Sequence, residues 1–248
     1  MYKLFTILIL ALSVPVTFAD NNVSPAMLSL EVFGCKFIKN RDLDDLLKVA
    51  NEWDSWADNN FSKPYNALVL TPYAYTASDF AFDMIWLGVT EDHHSMGVVN
   101  DEWVAKGGKL QAKFDSVCPS VTHFYATSLA IKPIAEDDAP ARLTAWSCQF
   151  KEGKGVADLA AADAAWKAHM TEVGIPGSLY RWFPGAGYPR ASADDYLQVY
   201  VTSSQADYGK TVDMMWAGSY SFLMQTYGDI QACDNPRIWA VQEVGGSW

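Results

Sequence analysis

One short stretch of this chain occurs twice. Val32-Phe33-Gly34-Cys35-Lys36-Phe37 returns as Ala145-Trp146-Ser147-Cys148-Gln149-Phe150, 113 residues later. The same offset carries Asp45-Leu46 onto Asp158-Leu159, Trp53 onto Trp166, and Trp103 onto Trp216. The second cysteines, Cys118 and Cys233, follow at an offset of 115. Such a constant register marks an internal duplication, and a duplication must be settled before any other feature is read. Each copy is long enough to bury its own core. With 50% apolar and 14% aromatic residues, the chain has the composition of a globular protein.

Met1–Ala19 reads as a secretory signal. Lys3 supplies the positive start, Leu4–Ala11 the apolar run, and Thr17-Phe18-Ala19 the cleavage site before Asp20. The run is short of the roughly 20 apolar residues that a membrane span needs. The expected address is therefore secreted or periplasmic, with no membrane association after cleavage. Export makes the four cysteines disulfide partners. Of three possible pairings, the duplication selects Cys35–Cys118 and Cys148–Cys233. No cysteine has a Cys or His at close ligand spacing, so no metal is expected at them. The chain has 18 basic and 29 acidic residues. That balance argues against nucleic acid or an anionic membrane as partner and serves solubility.

Periodicity gives the same order of elements twice. Glu31–Ile38 alternates as a strand, with Phe33, Cys35 and Phe37 on one face. Asn40 or Asp42 caps a helix to about Ala57, with Leu46, Ala50 and Trp53 at helical spacing. Strands Asn66–Tyr73 and Phe80–Thr90 follow. A helix then begins at Asp92 or Ser95 and breaks at Gly107-Gly108, and a strand spans Val121–Ile131. In the second copy the elements are strand Leu143–Phe150, helix Val156–Glu172, strands Ser178–Phe183 and Tyr196–Ser203, helix Thr211–Tyr227 and strand Arg237–Val244. The acidic, proline-bearing stretch 132–140 is the linker. The domains are thus a signal over 1–19, a first repeat over 31–131 and a second over 141–248.

Strand-helix-strand-strand-helix-strand is the ferredoxin-like order, an antiparallel sheet with both helices on one face. The expected fold class is α+β: two tandem ferredoxin-like βαββαβ repeats packed sheet to sheet. This order, in tandem, resembles the dimeric α/β-barrel superfamily with both protomers fused in one chain. The resemblance implies a pseudo-dimeric α/β barrel. That superfamily includes cofactor-independent monooxygenases, haem enzymes such as chlorite dismutase, and small-molecule binders.

If each disulfide lies on the helix side, alternation aims Gly34, Lys36, Ser147 and Gln149 between the sheets. Leu197, Val199 and Val201 suit the helix side, which sends Tyr196, Gln198 and Tyr200 inward together with Trp86. Arg181 sits among aromatics and also points inward. Lys36, Trp86, Gln149, Arg181, Tyr196, Gln198 and Tyr200 are therefore the expected ligand-binding residues of a mixed aromatic and polar pocket. The alternative is that they form a packed second core with the cations at its rim. If Lys36 or Arg181 is buried it needs an anion, and Glu243 is a possible internal partner.

His123, on the fourth strand of the first copy, is the candidate acid/base residue. His93-His94 after Asp92 could ligate a metal or simply lie on an exposed loop. His169 near a helix end suits the helix dipole, with haem ligation as the remote alternative. Trp53, Trp103, Trp166 and Trp216 read as core residues. The Gly/Pro-rich stretch from Pro184 lacks the setting of a phosphate loop and reads as a turn or rim. The functional expectation is an exported protein that binds a small aromatic or acidic organic molecule between its sheets, without a cofactor, with catalysis left open. The competing readings are a non-catalytic interaction module and a haem enzyme.

Overall fold

The computed structural model describes residues 27–135 and 139–246. The expected signal Met1–Ala19 and part of the linker, 136–138, lie outside the described residues. The chain runs β1 Met27–Cys35, α1 Leu43–Asn60, β2 Asn66–Ala74, β3 Met84–Thr90, α2 His93–Lys106, α3 Gly108–Asp115 and β4 Ser120–Lys132. It continues β5 Arg142–Phe150, α4 Val156–Val173, β6 Ser178–Pro184, β7 Tyr196–Thr202, α5 Gln205–Met214, a π-helical turn Met215–Ser219, α6 Tyr220–Tyr227, β8 Gln231–Cys233 and β9 Arg237–Gly245.

Local chemistry places these elements close to where periodicity predicts them. Asp42 caps α1 by accepting from the amide of Asp45, and Asp92 caps α2 by accepting from that of Ser95. Gly107 separates α2 from α3, as expected. β1 begins four residues before Glu31, because Met27–Leu30 pair with Ala126–Leu129 of β4.

Eight strands form one closed antiparallel barrel in the order β7-β6-β4-β1-β3-β2-β9-β5, with β5 hydrogen-bonded back to β7. The short β8 pairs with β5 outside this ring. The first four strands lie in the order β4-β1-β3-β2 and the corresponding later ones in the order β9-β5-β7-β6. The two groups are joined along their edges, β4 to β6 and β2 to β9. This corrects the expectation of two sheets stacked face to face. The disulfides are Cys35–Cys118 and Cys148–Cys233, as the duplication selects.

The barrel interior is solid. Leu30, Val32, Leu87, Val89, Leu143, Trp182, Val199, Val201 and Trp239 form one buried cluster drawn from strands around the ring. An eight-stranded barrel is just wide enough for such a filling. The expected pocket between the sheets is therefore a packed core, and the inward orientation of Trp86, Tyr196, Gln198 and Tyr200 is reversed. The aliphatic residues of β7 take the dry interior. Tyr196 and Tyr200 pack in the cluster beneath α4 and α6 instead, where their hydroxyls find partners.

Arg181 is also on that outer face. It is 0% exposed and its Nε donates to both oxygens of Asp163 at 3.1 and 3.2 Å. Tyr227 Oη donates to the same carboxylate at 2.7 Å. The anion that a buried Arg181 requires is thus Asp163 of α4, while Glu243 is exposed. Burial opposes the guanidinium charge, and the hydrogen bonds and attraction of Asp163 more than offset it, holding Arg181 above its ordinary pKa. Trp53 and Trp166 are core residues as expected, but Trp216 is 82% exposed. It lies in the π-helical turn, where Gly218 takes φ 137°, and this kink turns the indole away from the sheet.

Removing one member of the Arg181–Asp163 pair leaves an uncompensated buried charge. Asp163→Ala is expected to cost about 3–5 kcal/mol, and the double variant Asp163→Leu/Arg181→Met far less. The shift in urea midpoint checks both.

Candidate active site: an aromatic cleft over a buried carboxylate

On β1 the alternation that turns Cys35 toward the helices also turns Glu31 that way. Glu31 is only 3% exposed. Its Oε2 accepts from Tyr65 Oη at 3.1 Å, and its Oε1 lies 3.0 Å from His123 Nε2. Trp86 Nε1 donates to Tyr65 Oη at 3.3 Å. Tyr125 stands directly opposite Glu31 in the β1–β4 ladder. Burial, then the nearby Glu31 charge, raises both phenols: Tyr65 well above its ordinary value and Tyr125 to about 12. His123 stacks on Phe33 with centroids 3.9 Å apart, and its side chain is 38% exposed. The histidine thus connects the buried carboxylate to the surface.

Above Glu31 and Phe33, between the sheet and α1–α3, lies a cleft of about 110 Å³. Trp53, Phe61, Tyr65, Trp86, Trp103 and Phe114 wall it, and Asn100, Gln111 and Asp115 also line it. The rings meet edge to face. Trp53 and Trp86 are 4.9 Å apart at 85°, and Trp86 and Phe114 are 5.4 Å apart at 75°. Gln111 accepts from Trp103 Nε1 at 3.1 Å and donates to Asp115 at 2.9 Å. The Tyr65 hydroxyl has room because residue 88 is glycine: a Cβ there would lie 1.9 Å from it.

On the outer face of the later strands larger side chains take the matching positions, as the register shows. Met84 stands opposite Cys35, and Tyr196 opposite Cys148. Tyr196, Gln198 and Tyr200 therefore occupy the places that Met84, Trp86 and Gly88 hold in the first group. Tyr200 donates to the carbonyl of Pro176 where Gly88 leaves space. Arg181 fills the centre, contacting Gln198 at 3.3 Å and the Tyr196 ring at 5.0 Å.

Of the residues expected to bind a ligand, Trp86 is in the cleft wall. Arg181, Tyr196 and Gln198 meet in the filled face, with Tyr200 beside them. Lys36 is exposed just beyond β1, and Gln149 is exposed near the end of β5, where it donates to the carbonyl of Ala193 at 2.7 Å. His123 contacts the buried Glu31. His93 begins α2 and lies between Ser29 and Thr127, at 2.8 and 2.9 Å. Sequence reasoning missed Glu31, Tyr65, Tyr125 and Phe114. The available signal was Glu31 itself, an acidic residue on the same strand face as Phe33 and Cys35.

No protein-family model matches the sequence, and no curated protein matches it. Solved structures do. A protein from Lactobacillus acidophilus NCFM described as a presumed monooxygenase matches with TM-score 0.55 and 10% identity, over 89% of this chain and 98% of its own. An anthrone oxidase-like protein matches with TM-score 0.50 and 8% identity, over 88% and 93%. Chlorite dismutase from Candidatus Nitrospira defluvii, in complex with imidazole, matches with TM-score 0.50 and 7% identity, over 91% and 92%. The chain has the dimeric α/β-barrel fold.

These neighbours correct one expectation. Chlorite dismutases, the haem enzymes named above, are among these neighbours, so the expectation of no cofactor does not stand. Haem iron needs an axial donor such as His, Cys, Met or Tyr aimed into a slot for the macrocycle. The cleft lining contains no histidine, its two cysteines are joined to each other, and Met84 is fully buried beside Cys35. Tyr65 gives its hydroxyl to Glu31. On the other face, the His169 ring is stacked between Trp166 and Phe222, at 5.3 and 4.4 Å, and its Nε2 lies 3.0 Å from Ser219 Oγ. Neither the cleft lining nor the surroundings of His169 present a free axial donor to a haem, and no step is derived through one.

Two outcomes test this geometry. Tyr65 and Tyr125 keep their protons to higher pH in the fold than in the unfolded chain, where tyrosine ionises near 10. Their stabilising contribution is present below pH 10 and is lost as pH rises through the folded value, about 12 for Tyr125. Glu31→Gln removes the charge that helps to raise them, so tyrosinate absorbance should appear at lower pH in that variant. Gly88→Ala should push Tyr65 off Glu31 and destabilise the fold by about 1–3 kcal/mol, measured by thermal unfolding.

Proposed function

We propose that this chain is an exported small-molecule enzyme whose site is the cleft beneath α1–α3, with Glu31 as its acid/base group. The single observation that carries this reading is a buried carboxylate under an aromatic-walled cleft, hydrogen-bonded on the far side to a half-exposed histidine. Ligand sites combine mostly apolar walls with a few polar groups that orient the ligand. A small aromatic or apolar group would enter the cleft that Trp53, Trp86 and Phe114 line, with its polar end toward Glu31. Glu31 takes a proton from that group, and His123 exchanges it with solvent. Tyr65 holds the carboxylate in place and excludes water from it. The fold neighbours described as monooxygenase and anthrone oxidase-like support a small-molecule enzyme.

The same proposal includes the architecture. Residues 31–131 and 141–248 are copies of one ferredoxin-like unit, joined by 132–140, with Met1–Ala19 as the export signal. Support comes from a repeated local device. Asp83 donates its amide to the Cys35 carbonyl and accepts from the Phe37 amide, and Asp195 does the same with Cys148 and Phe150. A second reading, an interaction role for the α5–α6 region, is favoured by exposed Trp216, Tyr220 and Met224.

Naphthylmethanol, a neutral flat probe, should quench the cleft tryptophans saturably. Trp86→Ala or Phe114→Ala should weaken its binding about tenfold, the worth of one aromatic contact. Tyr200→Phe, on the filled face, should leave it unchanged. Absence of saturable binding to the wild type would remove the proposal.

A further inference from the structure

We infer that the molecule taken by the cleft is an organic cation, a protonated amine carried on an aromatic or apolar body. The inference rests on the proposed site and names its ligand class. The residues that line the cleft include two carboxylates, Glu31 and Asp115, and no lysine, arginine or histidine. Glu31 lies at the sheet and is buried, whereas Asp115 is exposed. A ligand entering between them meets one carboxylate at each end.

The walls add to this selectivity. Aromatic faces are the negative side of the ring quadrupole, and indoles attract cations most strongly. Trp53, Trp86 and Phe114 stand nearly perpendicular in sequence, at 85° and 75°. In each pair one ring's edge takes a face of its partner, and what the rings leave toward the cleft is the aromatic surface an ammonium group would meet. A stack of parallel rings would instead favour a neutral plate.

Alternative ligand charges fare worse. An anion would have to shed water beside the Glu31 carboxylate, which costs free energy without a compensating partner. Arg181, the fully buried cation among the described residues, already pairs with Asp163 on the opposite side of the fold. A neutral ligand gains the walls and leaves Glu31 with Tyr65 and His123 alone. The net charge of −11 reinforces the choice by drawing cations toward the molecule. The expectation of an acidic ligand, drawn from Lys36 and Arg181, is thereby replaced.

The test compares three probes of one shape on the full chain at neutral pH and low salt: naphthylmethylammonium, naphthylmethanol and naphthoate. Binding is read by tryptophan fluorescence. The expected order is ammonium at least about tenfold tighter than alcohol, with naphthoate weakest. In Glu31→Gln, checked for folding by thermal melting, the ammonium advantage should fall to a few-fold or less. Asp115→Asn, at the exposed rim, should reduce it partially and serves where the Glu31 variant does not fold. Alcohol binding as tightly as ammonium in the wild type overturns the inference and leaves the cleft standing as a site. An ammonium advantage unchanged in both variants also overturns it. No saturable binding by any probe overturns the proposed function instead.

Discussion

Closure of the ring between β7 and β5 decides where this chain can hold a ligand. Once the eighth strand is hydrogen-bonded to its neighbour, the interior has a fixed width. Leu30, Val89, Val199 and Trp239 and their neighbours fill it. Space for another molecule can then arise only on the outside, between the ring and the helices that cover it. The barrel has two helix-covered faces, and the chain treats them differently.

The difference comes from a few positions in matched register. Where the first face has Val69 and Gly88, the second has Arg181 and Tyr200. Where α1 presents Ala50, α4 presents Asp163, three residues before the shared tryptophan in each helix. Small residues leave room on one side, and an ion pair with tyrosines occupies it on the other. The filled face is costly to make, because both charges of Arg181 and Asp163 lose water. It is stable because Tyr227, Gln198 and the carboxylate together satisfy the guanidinium and its partner. The open face keeps a single buried charge, Glu31, held by Tyr65 and His123.

The sequence made much of this fold legible. Repeated Cys and Trp positions gave the pairing of the disulfides, and hydrophobic periodicity gave most strands and helices of both halves, but the helix expected from Thr211 already begins at Gln205 and β8 was not expected. The facing of the third strands was misread. Leu197, Val199 and Val201 alternate with Tyr196, Gln198 and Tyr200, and alternation alone cannot say which face is drier. The hydroxyls of the tyrosines needed partners, and those partners, Pro176 and Gln231, are distant in sequence. The cleft was hidden for the same reason. Glu31, Tyr65 and His123 are separated by tens of residues and meet only when β1 pairs with both β3 and β4. Trp216 shows a further limit, since its exposure depends on a π-helical turn that keeps the residue pattern of an ordinary helix.

The seams of the ring carry an evolutionary consequence. β4 is zipped to β6 and β2 to β9, so each half covers the other's exposed backbone edges. Half a gene would encode a sheet with two naked borders, open to self-association. Each half thus supplies the edges that the other needs, as a second protomer would. The barrel's closure rests on these seams, so the helix-covered faces are free to differ.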